Sequence, residues 1–184
     1  ALFVIWRINA RKYISSGTVA SAYDAWTQDK LLERLWGEHI HLGFYPSENK
    51  NIDFRKAKVL FVHELVKWSG LDKLPKGSRI LDVGCGIGGS SRILAKYYGF
   101  NVTGITISPA QVKRARELTP FDLNCSFQVM DALDLKFEDG SFDAVWSVEA
   151  GAHMNDKERF ADEMLRTLSC LLYTSDAADE SDRG

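Results

Sequence analysis

Apolar residues follow two rhythms along this chain. Arg79–Val83, Asn101–Ile107, Phe127–Met130 and Phe142–Val148 are short runs of aliphatic, β-branched and aromatic residues bounded by Gly, Pro, Asn or Asp. These read as strands. Helical spacing fills the intervals. Gly89–Tyr98 is followed by the stop residue Gly99. Ser108-Pro-x-Gln111 supplies Ser at the N-cap, Pro at N1 and Gln at N3 of a helix reaching Leu118, before Pro120. Asp156 caps a last helix expected to run to Leu168. Ahead of the strands, Ser21–Trp36 reads as one helix. Phe54, Ala57, Phe61, Leu65 and Trp68 recur at three- and four-residue steps, predicting a second with Gly70 as its C-cap. Strands alternating with helices predict an α/β fold built on a parallel sheet with right-handed crossovers.

The first strand ends in a special arrangement. Asp82-Val-Gly84-Cys-Gly86-Ile-Gly88-Gly89-Ser-Ser91 carries an acid, three alternate glycines and then a helix start. Gly84, Gly86 and Gly88 accept positive φ and hold no Cβ against a ligand. The opening turn of the helix points free N–H groups into the same space. A plain strand-to-helix turn needs no such run of glycines. Gly84-x-Gly86-x-x-Gly89 also matches the dinucleotide fingerprint. A nicotinamide cofactor, however, wants an acid at the end of the second strand for its ribose hydroxyls, and that strand ends in Thr106, Ile107 and Ser108.

Together these residues resemble the class I S-adenosylmethionine (SAM) methyltransferases. Asp-Val-Gly-Cys-Gly-Ile-Gly-Gly is similar to their glycine loop, and Thr106-Ile-Ser-Pro-Ala-Gln111 to the second-strand signature of the branch holding tocopherol, sterol and cyclopropane-type enzymes. Phe142–Glu149 is similar to the fourth strand. Tyr23-Asp-Ala-Trp-Thr, Trp36-Gly-Glu-His-Ile-His-Leu-Gly43, the block Gly77–Ser108 and Val148-Glu-Ala-Gly-Ala-His-Met154 resemble the cyanobacterial methylphytylbenzoquinol and γ-tocopherol methyltransferase family, over roughly residues 17 to 168. The resemblance implies a Rossmann-like parallel sheet with flanking helices, truncated before its C-terminal strands and preceded by an N-terminal helical cap. It implies SAM as cofactor and C-methylation of a prenylated benzoquinol in tocopherol or plastoquinone synthesis. The alternatives are a γ-tocopherol-type or other small-molecule methyltransferase, an NAD-dependent oxidoreductase, or an inert fragment. Val148-Glu-Ala-Gly favours the quinol enzyme over the tocopherol type.

The resemblance also assigns roles. Asp82, Gly84, Gly86, Gly88, Thr106, Ile107, Gln111, Asp131, Ala132 and Ser147 are expected around the cofactor, with Asp131-Ala132 on the adenine. Gln111 has a second reading, as partner of Ser108 in a capping box, and Asp131 as a solvated turn residue. His153 is the first candidate for the general base that removes a phenolic proton, because an imidazole titrates near working pH. Glu149 is the second, as base or as orienter of the hydroxyl. The sulfonium methyl is already electrophilic, so no metal is required. The stretch Trp36–Tyr45 reads either as a lid, with Trp36 or Tyr45 near the sulfonium, or as aromatic packing on the core. His39 and His41 alone lack the further ligands that a metal site needs.

The ends change the domain picture. Ala1–Ile8 is strongly apolar and is followed by Arg11-Lys12. Eight residues cannot cross a bilayer, and residues 1–20 are expected to be the remnant of a membrane anchor and linker. Residues 21–70 form the helical cap and 71–169 the incomplete SAM-binding domain. Cys170–Glu180 resembles no protein family and is similar to a translated sequencing adaptor, so residues 170–184 are expected to stand outside the fold. The 184 residues carry a formal charge of −2. The last fifteen hold a net −3, leaving +1 on the other 169. So even a balance gives no electrostatic footprint for nucleic acid. Cys85 and Cys125 have no paired spacing, which argues against a zinc site or disulfide framework and for a reducing compartment. The expected location is a cyanobacterial or plastid-type membrane surface, reached through the N-terminus.

Overall fold

The computed structural model describes residues 16–48 and 51–169, the side chains of residues 16–18, 31 and 153 excepted. Most of the expected anchor remnant and all of the expected foreign tail lie outside the described residues. Strands β1 (Arg79–Val83), β2 (Asn101–Thr106), β3 (Cys125–Val129) and β4 (Ala144–Trp146) form a parallel sheet in the order β3-β2-β1-β4. Helices α1 (Ser16–Gln28), α2 (Leu31–Trp36) and α3 (Phe54–Trp68) precede it. Helices α4 (Gly89–Tyr98) and α5 (Pro109–Leu118) connect β1 to β2 and β2 to β3, and α6 (Lys157–Arg166) follows β4.

The period-two pattern of β1 organises the core. Ile80 packs with Val62, Val66, Leu94, Phe100, Val102 and Trp146 on the side of α3 and α4. Leu81 and Val83 pack with Ile105, Leu135, Phe142 and Phe160 on the side of α6. Strand residues of alternate parity thus serve opposite faces. Asp82 shares its parity with Ile80, which carries the carboxylate to α4, where Ser91 Oγ donates to Oδ2 at 2.5 Å.

Several boundaries differ from the sequence reading. The helix expected over Ser21–Trp36 is two helices, because Lys30 takes a left-handed φ of 55°. β3 begins at Cys125, since Val102 through Thr106 of β2 pair with Cys125 through Val129. β4 covers only Ala144–Trp146, the residues that pair with Ile80–Asp82. α6 ends at Arg166, after which Phe142 and Leu168 form a parallel bridge beside β4. The caps are as expected at Ser108, whose Oγ accepts from Gln111 N–H, at Asp156, which accepts from Arg159 N–H, and at the left-handed Gly99. Gly70 is left-handed one residue after the Ser69 C-cap.

The cap is tied to the sheet domain at polar points. Asp24 of α1 accepts from Ser108 Oγ and, at 3.0 Å, from Ala110 N–H, so a cap residue satisfies the N-terminus of α5. Glu33 of α2 meets the Arg114 guanidinium in a two-pronged ion pair with contacts of 2.6 and 2.9 Å. The bond from Arg114 draws the Glu33 carboxyl below its ordinary range. Replacing Asp24 with Ala strands the Ala110 N–H in the first turn of α5 and removes one tether of α1. Urea unfolding of the D24A variant is expected to show a loss of about 1–2 kcal/mol, the range of an N-cap deletion.

Candidate functional site

Where the strand order reverses, between β1 and β4, the chain leaves the sheet in opposite directions and opens a crevice at the strands' C-terminal edge. A cleft of about 270 Å³ occupies that place. Its floor is the β1–α4 turn and the ends of β2, β3 and β4, and its roof is the cap.

The turn is shaped for close approach. Ile105 O accepts from both Gly84 N–H and Cys85 N–H, at 2.9 and 3.0 Å, which folds the turn over the edge of β2. Gly84 has φ 78°, and a Cβ there would lie 2.6 Å from the Ala150 Cβ. Gly86 has φ 55°, yet a Cβ built on it meets nothing within 4 Å. The backbone is bare on the cleft side, a cradle open to a ligand rather than to another part of the chain. Gly88 also has positive φ, but a Cβ there would strike Phe127 and Arg92. It caps α4 and does not line the cleft.

The other expected cofactor residues divide as follows. Asp82, Thr106, Ile107, Gln111, Asp131 and Ala132 all line the cleft. Thr106 Oγ1 donates to Gln111 Oε1 at 2.6 Å. Gln111 therefore forms only half of the expected capping box: its N–H bonds to Ser108 Oγ while its side chain turns to Thr106. Asp131 Oδ1 accepts from Leu133 N–H at 2.9 Å, which fixes the loop after β3. Ser147 does not line the cleft, because its hydroxyl donates to Val83 O at 3.1 Å.

Glu149 lies at the rim with φ 59°, a left-handed conformation unusual for a glutamate. Its Oε1 accepts from Leu42 N–H at 3.0 Å, joining the loop after β4 to the cap. His153 ends the 3-10 turn Gly151–His153, and its side chain lies outside the described residues. Trp36 and Tyr45, expected to approach the sulfonium, do not line the cleft and are exposed. The ammonium of Lys58 lies 5.7 Å from the Trp36 ring centroid and donates to Trp36 O and His39 O, holding the end of α2 against α3. Tyr23 and Trp26 of α1 line the cleft instead. The sequence offered a signal for them in Tyr23-Asp-Ala-Trp-Thr, but their facing direction depends on how Asp24 docks α1.

His39 and His41 also line the cleft, and both are buried. Their rings meet edge to face with centroids 4.9 Å apart. The segment is irregular rather than a strand, so their meeting comes from a local fold and not from period-two alternation. Burial pushes His39 down to about 3, helped by His41, Arg92 and Lys58. Burial also lowers His41. Among the described residues no group of three or more His, Cys, Asp or Glu side chains is placed to hold a metal ion.

Residues 81–169 match a family described as "Methyltransferase domain". The chain carries a methyltransferase domain. It is 58% identical over 181 residues to a Synechocystis protein named 2-methyl-6-phytyl-1,4-hydroquinone methyltransferase, an alignment covering 97% of this chain and 57% of that protein. It is 43% identical over 146 residues to the chloroplastic tocopherol O-methyltransferase of Arabidopsis thaliana, covering 74% of this chain and 42% of that protein. The chain thus spans about half the length of these curated relatives. Among solved structures, a Galdieria sulphuraria protein assigned as a sarcosine dimethylglycine methyltransferase superposes with a TM-score of 0.70 at 29% identity, covering 79% of this chain and 56% of that one. The [4+2]-cyclase SpnF gives 0.72 at 28%, covering 84% and 56%. The fold is the Rossmann-like sheet of SAM methyltransferases.

The domain's buried acid carries a pH signature. Burial raises Asp82 to about 6, against a lowering by the Ser91 hydroxyl. A folded value above the unfolded one means that the native state binds the extra proton between about 4 and about 6. The associated stability is present below that window and is lost as pH rises through it. Two pK units correspond to a ceiling of about 3 kcal/mol. Chemical unfolding across pH 4–7 is therefore expected to show the unliganded protein losing stability relative to Asp82→Asn as pH rises to about 6, with a flat difference above.

Proposed function

We propose that this chain is the cofactor-binding part of a SAM-dependent C-methyltransferase acting on a prenylated benzoquinol. The observation that carries the cofactor reading is the cradle at Gly84–Gly86, open to the cleft beside the buried Asp82. The end of β2 offers Thr106, Ile107 and Gln111, without the carboxylate that would hold a nicotinamide ribose. The acceptor follows from the names of the Synechocystis and Arabidopsis relatives, the former 58% identical.

The residues that line the cleft are of the types SAM would need. Bare backbone at Gly84 and Gly86 and the first turn of α4 would receive the methionyl end. Thr106 and Gln111 would present uncharged groups to the ribose, and Asp131 with Ala132 would face the adenine. When bound, SAM supplies a sulfonium methyl for in-line attack by the electron-rich ring carbon. The protein's part is to exclude water, align the acceptor and take its proton. His153 is the proposed base and Glu149 the group that orients the hydroxyl, since both belong to the loop after β4 at the cleft's edge. Membrane contact through residues 1–20 would suit so apolar an acceptor, in a cyanobacterial or plastid-type compartment. Among the described residues no helix is long and apolar enough to cross a membrane.

Two measurements test the reading. Calorimetric titration of the chain is expected to show binding of S-adenosylhomocysteine and none of NADH; the reverse result would replace the methyltransferase reading with an oxidoreductase. In the intact natural protein, His153→Ala is expected to lower kcat on a phytylbenzoquinol by about 10²-fold or more, the scale of a lost general base. An unchanged kcat removes His153 from the mechanism.

A further inference from the structure

The two histidines of the cap form a chain with one defined direction. His41 Nδ1 lies 2.7 Å from Leu42 O. A carbonyl oxygen only accepts, so Nδ1 of His41 carries the proton. Burial keeps the ring neutral, which leaves Nε2 of His41 as an acceptor. His39 Nδ1 sits 3.1 Å from that Nε2 and must be the donor. His39 is neutral as well, so its own Nε2 holds a lone pair. No described residue bonds to that atom. The sequence of bonds therefore leaves Nε2 as the one open acceptor of a ring that lines the cleft, with its tautomer set by a backbone carbonyl two links away.

Position decides what that acceptor meets. The His39 ring touches Gly89, the first residue of α4: a Cβ on Gly89 would lie 2.8 Å from His39 Cε1 and 2.9 Å from Nδ1. Gly89 is open enough to let the ring sit over the helix N-terminus. That terminus attracts a carboxylate, and in an α-amino acid the ammonium hangs on the same carbon as the carboxylate. An amino-acid end bound there brings a cationic N–H donor beside His39. Charge decides the role. Arg92, paired with Glu38 at 2.7 Å, and Lys58, whose ammonium donates to His39 O, lie around the ring. Glu149 faces His41 from the loop after β4. Such surroundings disfavour a second proton on the imidazole and keep it an acceptor. They do not suit a base that must retain a full proton, and this separates His39 from the phenol-deprotonating role given to His153.

We infer that His39 Nε2 accepts a hydrogen bond from the α-ammonium of the cofactor's methionyl end, and that His41 is the positioning residue that fixes the His39 tautomer. The inference rests on the SAM reading above. It assigns the segment Gly37–Gly43 a direct part in cofactor recognition, beyond covering the cleft.

The test compares two ligands that share the thioadenosine portion. S-adenosylhomocysteine has the amino-acid end and 5′-methylthioadenosine lacks it. With His39→Ala, affinity for S-adenosylhomocysteine is expected to fall about 10-fold or more, the scale of a hydrogen bond to a charged group, while 5′-methylthioadenosine binds as before. His41→Phe keeps a ring in place and breaks the chain, and is expected to weaken only S-adenosylhomocysteine, by about 3-fold. Equal losses for both ligands, or none, overturn the inference while leaving the cofactor reading intact. Failure of the unmodified chain to bind S-adenosylhomocysteine overturns both. Nitrogen-15 spectra of the unmodified protein give a check without substitution: His39 must carry its proton on Nδ1 and none on Nε2, and a protonated Nε2 refutes the assignment.

Discussion

The structure depends on keeping side chains out of one place, the turn after β1. Ile105 O takes two N–H groups from that turn, and Gly84 abuts Ala150 with no room for a methyl group. The same turn is empty over Gly86. Glycine at one position lets the loop after β4 close in, and at the other leaves backbone facing a ligand. β1 can hold the turn there because it is flanked by β2 and β4 and buried on both faces by alternate residues. The position of Asp82 follows from the same alternation. It reaches the α4 side fully buried, where the Ser91 hydroxyl is its hydrogen-bond donor, and its raised pKa is the electrostatic consequence of that placement.

The cap is held over this turn by ties to separate elements. Asp24 reaches α5, Glu33 reaches Arg114, Glu38 reaches Arg92 of α4 and Leu42 N–H reaches Glu149 after β4. Solvent-accessible ion pairs are each worth little, in the range of about 0–1 kcal/mol. Their contribution here is geometric: four attachments on three elements, α5, α4 and the loop after β4, define one orientation. The left-handed Glu149 marks where that orientation bears on the backbone, since such conformations cost about 1–3 kcal/mol and persist where surroundings impose them.

Much of this was legible in the residue order. The glycine run, the Ser108 cap, the Asp156 cap and the Gly99 stop each depend on neighbours within a few positions, and each stands where the pattern placed it. Lys30 illustrates the limit. Nothing in Ser21–Trp36 breaks helical periodicity, and the left-handed residue that divides it answers to the docking of α1 and α2 on α5. Gly88 and Ser147 belong to the motifs but face Phe127 and the Val83 carbonyl, because a motif fixes sequence spacing and not which way each member points. Trp36 stays open in the sequence for a related reason: aromatic character favours both a lid and a packing anchor, and Lys58, whose ammonium bonds the Trp36 carbonyl, lies twenty-two positions later. The contact of His39 with Gly89 spans fifty residues, so no local pattern could display it.

Fold alone does not settle the reaction. A protein called a [4+2]-cyclase superposes on this chain as well as a methyltransferase does. A cleft floored by a glycine turn is thus a place to hold a cofactor-like molecule, and chemistry is decided by what stands around its open side. In this chain that side is furnished by two segments far apart in sequence, the cap around His39–Leu42 and the loop after β4 around Glu149. The Leu42–Glu149 bond joins them directly. A shift of the loop must therefore be felt at His41, whose Nδ1 bonds the carbonyl of that same Leu42, and through it at His39. Cap and loop are linked by one residue's backbone: its N–H answers to the carboxylate and its C=O to the imidazole.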